Sequence, residues 1–384
     1  MPEVASDSTR WADAFHVPRK GPYALTHSVG CLPWASRFAL ESGLLVPWIE
    51  RGGDAWPVWL EQIEHFKAAL AALFGGAAAE YCPQSNLSSG LAKVLSALPR
   101  EPAARRVLLA AEDSFPSLGF VLSQAQRFGY ELSLIPRADD PSLLESWSHR
   151  LTRDVRIVLV THVHSNTGKV APIQEIARLC TERGILCIVD VAQSAGILPL
   201  SFPQIGAQVV LGSCIKWLCG GPGAGFLWTA AAVTQSLEPA DVGWFSHADP
   251  YELDIHSFAY APDSRRFWGG TPSIGPFVTA AASLRVIHEM GVANLLAHNR
   301  RLMEAFEAGL DDEWRSRLPT GERGGTLCIR TGAELPAITA ALRAAEVYFD
   351  TRADVVRLSF HACNRQEDAS RVARAWMEGG SRCT

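Results

Sequence analysis

Short apolar runs alternate with segments of helical periodicity through the middle of the chain. Val107-Leu108-Leu109-Ala110, Ile157-Val158-Leu159-Val160, Ile185 to Val189 and Val209-Val210-Leu211 each read as a strand buried on both faces. Between them the pattern predicts helices over about Pro116 to Phe128 and, after Pro172, over Ile173 to Arg183. This alternation builds a mainly parallel sheet covered on both sides, an α/β fold. From about Thr279 the texture changes to long amphipathic helices, Ala280 to Glu289 and Val292 to Leu310. Short strands follow near Leu327-Cys328-Ile329 and Val355 to Phe360, so a smaller C-terminal α+β domain is expected. A further helix is expected over about Val58 to Phe74. The stretch before it, with Pro33, Trp34, Pro47, Trp48, Trp56 and Pro57, reads as neither a tidy helix nor a strand. Its aromatics either line a pocket or cover the core.

The chain has 384 residues, 48% of them hydrophobic and 20% charged. That is enough apolar material for a sizeable core and too much for a disordered or fibrous chain. Lys plus Arg is 35 against 40 Asp plus Glu, a formal charge of −5, and no basic block follows a phosphate backbone. Nucleic acid is therefore not an expected partner. Met1 to Phe15 carries Glu3, Asp7 and Asp13 and lacks the apolar core of a secretory signal. The longest apolar stretch, around Ala68 to Ala79, is broken by Gly75-Gly76 and is too short to span a bilayer. A cytoplasmic protein with no membrane partner is expected. Nine cysteines without CxxC spacing fit a reducing compartment, with neither a disulfide framework nor a metal site.

Two charged residues stand where ligands bind in open α/β sheets, at the carboxyl ends of strands. Asp190 follows Ile185 to Val189 directly. Lys216 follows Val209 to Leu211 through Gly212-Ser213-Cys214-Ile215 and precedes Trp217-Leu218-Cys219-Gly220-Gly221-Pro222-Gly223. A desolvated lysine amine has a lowered pKa and forms Schiff bases with aldehydes. An aspartate on the same cavity would hold the pyridine nitrogen of pyridoxal phosphate protonated. A plain structural Asp190–Lys216 ion pair is the other reading. The glycine string does not follow the strand, GxGxxG, helix order of a dinucleotide site.

Thr161-His162-Val163-His164, Thr167-Gly168, Pro172-Ile173, Asp190 to Gly196 and Lys216 resemble the class V aminotransferase group of fold-type I pyridoxal phosphate enzymes. Lys216 to Gly223, Gly243-Trp244-Phe245-Ser246-His247, Gly269-Gly270-Thr271-Pro272 and Ser114-Phe115-Pro116 are most similar to kynureninases. The resemblance implies a seven-stranded sheet in a large domain over residues 61–280 and a small domain over 281–384. It also implies an N-terminal segment, 1–60, packed on the active site and on a partner copy. It makes Lys216 the Schiff-base lysine and Asp190 the partner of the ring nitrogen. Phe115 would stack on the ring, or be an ordinary core residue. Asn86, Leu87 and Ser88 would cradle the phosphate, with Gln193 and Ser213 also at the cofactor. Trp244 and Thr271 would reach the cofactor and Gly270 the substrate pocket, partly across a homodimer with shared sites. Arg357 would grip the substrate α-carboxylate, or be a surface arginine on an edge strand, and Trp48 and His27 would also meet the amino-acid substrate.

The implied activity is hydrolytic Cβ–Cγ cleavage of a kynurenine-type amino acid to an aromatic acid and alanine. Five positions depart from that pattern. Ile215 stands where kynureninases carry a tyrosine before the lysine, Gln193 where they have histidine, Asn86-Leu87 where they have hydroxyl residues, and Leu118 where relatives are acidic. An isoleucine can neither bind phosphate nor carry a proton. An aminotransferase, a carbon–sulfur lyase and a non-catalytic cofactor-binding paralogue are the alternatives. The stretch from Val347 to Val356 has no cysteine where desulfurases carry theirs, and Cys328 and Cys363 lie elsewhere.

Overall fold

A computed structural model describes residues 8–18, 20–98 and 105–380. Residues 1–7 of the acidic N-terminal stretch and Cys383 lie outside these residues. In chain order the sheet strands are β1 (Tyr81–Gln84), β2 (Val107–Ala111), β3 (Glu131–Ile135), β4 (Val155–Thr161), β5 (Leu186–Asp190), β6 (Val209–Ser213) and β7 (Gly225–Thr229). Across the sheet they stand in the order β1-β7-β6-β5-β4-β2-β3. Parallel pairs join β3, β2, β4, β5 and β6, and β7 alone runs antiparallel to its neighbours β6 and β1. Strand β3 escaped the hydrophobic reading because it is an edge strand with only Ile135 buried.

The principal helices are α1 (Trp56–Phe74), α2 (Leu87–Ala97), α3 (Pro116–Leu122), α4 (Ile173–Glu182), α5 (Gly275–Met290) and α6 (Val292–Ala308). Helix α3 is shorter than expected, and a separate 3₁₀ turn covers Ala125–Phe128. Successive strand residues point to opposite faces, and each face has its own core. Leu109, Val158, Val160, Cys187, Val189 and Val210 meet α1, α4 and α5, whereas Leu108, Ile157, Leu159, Ile188 and Leu211 meet α2 and α3. Helix α5, which crosses the expected boundary between residues 280 and 281, packs with α1 in the first of these cores. A third core begins at Leu302 in α6 and is closed by an antiparallel three-stranded sheet with the helices α7 (Leu335–Ala344) and α8 (Gln366–Gly380).

The Trp- and Pro-rich stretch corrects the sequence reading, because it is helical almost throughout. Helical turns cover Trp34–Leu40, Glu41–Leu45, Val46–Arg51 and Gly52–Ala55 before α1 begins. Pro33 precedes the first of these, and Pro47 and Pro57 stand in the first turn of theirs. A proline there loses no hydrogen bond that the helix would have made. Among the described residues no helix is long and apolar enough to cross a membrane. The eight described cysteines are buried free thiols.

Candidate active site

Strands β4, β5 and β6 end side by side, and Thr161, Asp190 and Ser213 at those ends open onto a cavity of about 300 Å³. His27, Asn86, Leu87, Ser88, Phe115, Gln193, Lys216 and Arg357 line it as well. Asp190 is buried, and its Oδ1 accepts a 2.8 Å hydrogen bond from Ala192 N–H. Burial pushes its pKa up, against the pull of that N–H and of Lys216. Burial draws the Lys216 amine down to about 8, with Asp190 acting in the opposite direction. The two groups feel each other without closing into an ion pair, so neither is consumed by the other. Gly221 and Gly223, at φ values of 77° and 86°, make the sharp return from Lys216 to β7, a conformation suited to glycine.

Asn86 caps α2, its Oδ1 accepting from Ser89 N–H at 2.9 Å. The N–H groups of Leu87 and Ser88 begin the same helix, where an anion can be held by groups with no intrahelical partner. Thr161 Oγ1 is buried on the cavity wall with no hydrogen-bond partner. The ring of Phe115 has Lys216 Nζ at 5.3 Å from its centroid and the Arg352 guanidinium at 5.2 Å. A free amine, a buried carboxylate, an open helix N-terminus and an orphaned hydroxyl together fit pyridoxal phosphate: its aldehyde, ring nitrogen, phosphate and a remaining polar atom. Gln193 is committed within the protein, donating to His27 C=O at 3.1 Å and accepting from Trp217 Nε1 at 3.4 Å.

The far wall is a hairpin of the three-stranded antiparallel sheet. Strand β8 (Thr326–Arg330), β9 (Asp350–Arg352) and β10 (Val355–Ser359) form the antiparallel sheet, and a two-residue turn sets Asp350 opposite Arg357. Arg357 Nε donates to Asp350 Oδ1 at 2.7 Å, its Nη2 donates to Asp350 Oδ2, and its Nη1 donates to Ser165 C=O at 3.0 Å. His27 Nε2 lies 3.1 Å from Asp350 Oδ1 and its Nδ1 lies 2.7 Å from Ser359 Oγ. Burial holds His27 at a pKa of about 4, so the ring is neutral, donating to Asp350 and accepting from Ser359. The Ser359, His27, Asp350 order mimics a hydrolase triad, yet Ser359 is fully buried and away from the cavity. For Asp350, burial alone would raise the pKa, and hydrogen bonds from His27 and Arg357 outweigh it and hold the carboxyl below its usual range.

Sequence reasoning missed Asp350, Arg352, Thr161 and Ser165. A usable signal was present for the first two, since residues two apart on a strand share a face. Trp48, Trp244, Gly270 and Thr271 do not line this cavity. Trp48, Gly270 and Thr271 are exposed, and Trp48 joins Trp244 through edge contacts running by Trp59 and Trp56. Trp244 in turn meets Tyr251, beside exposed Leu253 and Ile255.

The family model for class-V aminotransferases matches residues 60–372. The uncharacterized aminotransferase YcbU of Bacillus subtilis is 28% identical over 82% of this chain and 83% of its own length. A kynureninase of Deinococcus radiodurans is 30% identical over 76% of this chain and 72% of its own. The solved complex of the cystine C–S lyase C-DES with cysteine persulfide has the same fold, with a TM-score of 0.83 at 21% identity, covering 93% of this chain and 98% of that one.

Proposed function

The chain belongs to the class-V aminotransferase family, whose enzymes depend on pyridoxal phosphate, and from that premise we propose that it cleaves an α-amino acid at Cβ in the manner of a kynureninase. The observation that carries this reading is the pairing of Lys216 and Asp190 on one cavity with their charges uncommitted to each other. Pyridoxal phosphate, when bound, supplies an electron sink for the charge that develops at the substrate Cα. Asp190 would hold the ring nitrogen protonated, and the first-turn N–H groups of α2 with Ser213 would hold the phosphate. Lys216 would carry the cofactor, and an amine with a pKa of about 8 is suited to take the Cα proton near neutrality, to give one to Cβ once the bond has broken and to give another back to Cα, the added water supplying the extra proton. Water adds to the γ-carbonyl as the Cβ–Cγ bond breaks, giving an aromatic acid and alanine. The arginine wall, Arg352 and Arg357, draws the substrate carboxylate.

An aminotransferase or carbon–sulfur lyase is the second reading, favoured by Ile215, which lines the cavity where kynureninases have a phenol. A desulfurase is disfavoured: Cys328 is buried, its Sγ 3.9 Å from Ser165 C=O, and burial pushes its thiol up to about 12. The exposed aromatic surface around Trp48 and Trp244 supports a homodimer in which those residues, with Gly270 and Thr271, serve the partner's site. Buried free thiols support a reducing, cytoplasmic setting.

The test is chemical. Borohydride should fix the cofactor on Lys216, read by mass spectrometry of peptides, and kynurenine should yield anthranilate and alanine. A label on another lysine removes the assignment, and cofactor binding without anthranilate directs attention to the second reading. Sedimentation should show a dimer that Trp48→Glu weakens; a wild-type monomer that remains active rejects shared sites.

A further inference from the structure

Thr161 and His162 follow one another at the end of β4, and successive side chains there leave on opposite faces. Thr161 opens on the cavity that holds Lys216, whereas His162 opens on a second cavity of about 620 Å³. This second cavity lies between the start of α4, the segment from Leu198 to Ile205, and α6, which contributes Leu296. Its walls are mostly aliphatic, with Val170, Ile173, Leu198 and Leu200 facing it beside Leu296. Three ionisable residues reach it, His162, Glu175 and Glu322, and among the described residues no lysine or arginine does.

His162 is the unusual member, because it is almost wholly buried and only half satisfied. Ser194 Oγ donates to Val191 C=O at 3.3 Å, so the 2.9 Å bond between His162 and Ser194 runs from Nδ1–H to the hydroxyl. Burial keeps the ring neutral, its pKa lowered to about 4. Nε2 is then a bare lone pair, without a partner among the described residues, on the side open to the second cavity. A buried acceptor is costly to leave unmet. Glu175, in the first turn of α4, and Glu322, whose C=O accepts from Val170 N–H at 3.3 Å, are exposed carboxylates at the rim. Arg323, next in sequence to Glu322, is paired with Glu307. The cavity thus combines an acceptor in its floor, aliphatic walls and negative charge at its mouth.

We propose that this second cavity is a binding site for a small organic monocation, an apolar body seated against the leucines and carrying a protonated amine whose N–H is accepted by His162 Nε2. The two carboxylates disfavour an anion, and a ligand without a donor leaves the lone pair unmet. The site stands back to back with the cavity that holds Lys216, since His162 N–H donates to the carbonyl of Asp190 at 2.9 Å. It does not depend on which reaction the chain catalyses.

The probe is N,N-dimethylbenzylamine, a tertiary amine that is protonated at neutral pH and cannot form a Schiff base with the cofactor. Titrated by calorimetry into the holoenzyme, it should bind once per chain with roughly millimolar affinity or better, the range open to a ligand of about ten heavy atoms. N,N,N-trimethylbenzylammonium keeps the ring and the charge but has no N–H to give, and it should bind roughly tenfold more weakly. His162→Phe should weaken the tertiary amine by a similar factor and remove the difference between the two cations. Glu322→Gln should weaken both cations by a smaller factor, because an exposed charge contributes less. Leu200→Trp narrows the cavity from its wall and should weaken the amine at least as much as His162→Phe, which keeps the test available if that variant fails to fold. Equal affinity of the wild type for the two cations overturns the proposal. So does amine binding that survives Leu200→Trp, which would lie elsewhere, and so does the absence of binding at roughly ten millimolar.

Discussion

At the scale of single residues, the site works by denying charges their ordinary partners. Lys216 is drawn down to about 8 by burial, so uptake of pyridoxal phosphate by the cofactor-free protein should speed up as pH rises towards about 8 and level off above it. An exposed lysine would keep gaining reactivity to above pH 10. Asp190 is raised by burial, which is the state of a carboxylate made to meet a cation. Asp190→Asn should therefore retain cofactor on Lys216 but lose turnover, by roughly 10²-fold or more if the protonated ring is the main source of carbanion stabilisation. Stopped-flow rates beside cofactor absorbance separate the two effects, and retained turnover would remove Asp190 from the chemistry. Lys216 and Asp190 were legible in the sequence because each is a lone charge at the end of an apolar run. Asp350 was not, since what it does depends on its pairing with Arg357 across a hairpin, and a pairing of that kind is a fact of register rather than of composition.

Elements show the same division. The central strands β2, β4, β5 and β6 are buried on both faces, so their apolar runs announce them. Edge strand β3 has four exposed residues out of five, and the N-terminal helices hide behind prolines that read as breakers until their first-turn positions are known. Helix α2 joins element to site, because the residue that starts it also lines the cavity. Asn86→Ala removes the cap on Ser89 N–H and should cost about 1 kcal/mol of stability, measured by thermal or denaturant unfolding. The same variant should hold pyridoxal phosphate less tightly. Asn86→Ser or Asn86→Asp, which keep a capping oxygen, separate the two losses: both should restore stability, and the aspartate should repel the phosphate.

Across the whole molecule, buried neutral histidines set the acid limit. Burial lowers His27 and His162 to about 4 and His361 to about 3, whereas in an unfolded chain each titrates near 6.5. Between those values the unfolded state binds protons that the folded state refuses, so stability must fall as pH drops below about 6.5, by up to roughly 3 kcal/mol for each histidine near pH 4. The thermal midpoint should decline through that window, and His162→Gln should flatten the decline; a midpoint independent of pH from 6.5 to 4.5 would contradict the burial of these rings. The cavity also joins distant parts of the chain: His27 meets Ser359 across 332 residues, and Gly30 N–H donates to the carbonyl of Ile215, beside Lys216, at 2.7 Å. During synthesis the sheet and its lysine can therefore take shape well before the hairpin that completes the substrate wall has emerged. Contacts this distant in sequence close late, so a nascent chain stalled after β7 would carry the reactive amine without the arginines that select what reaches it.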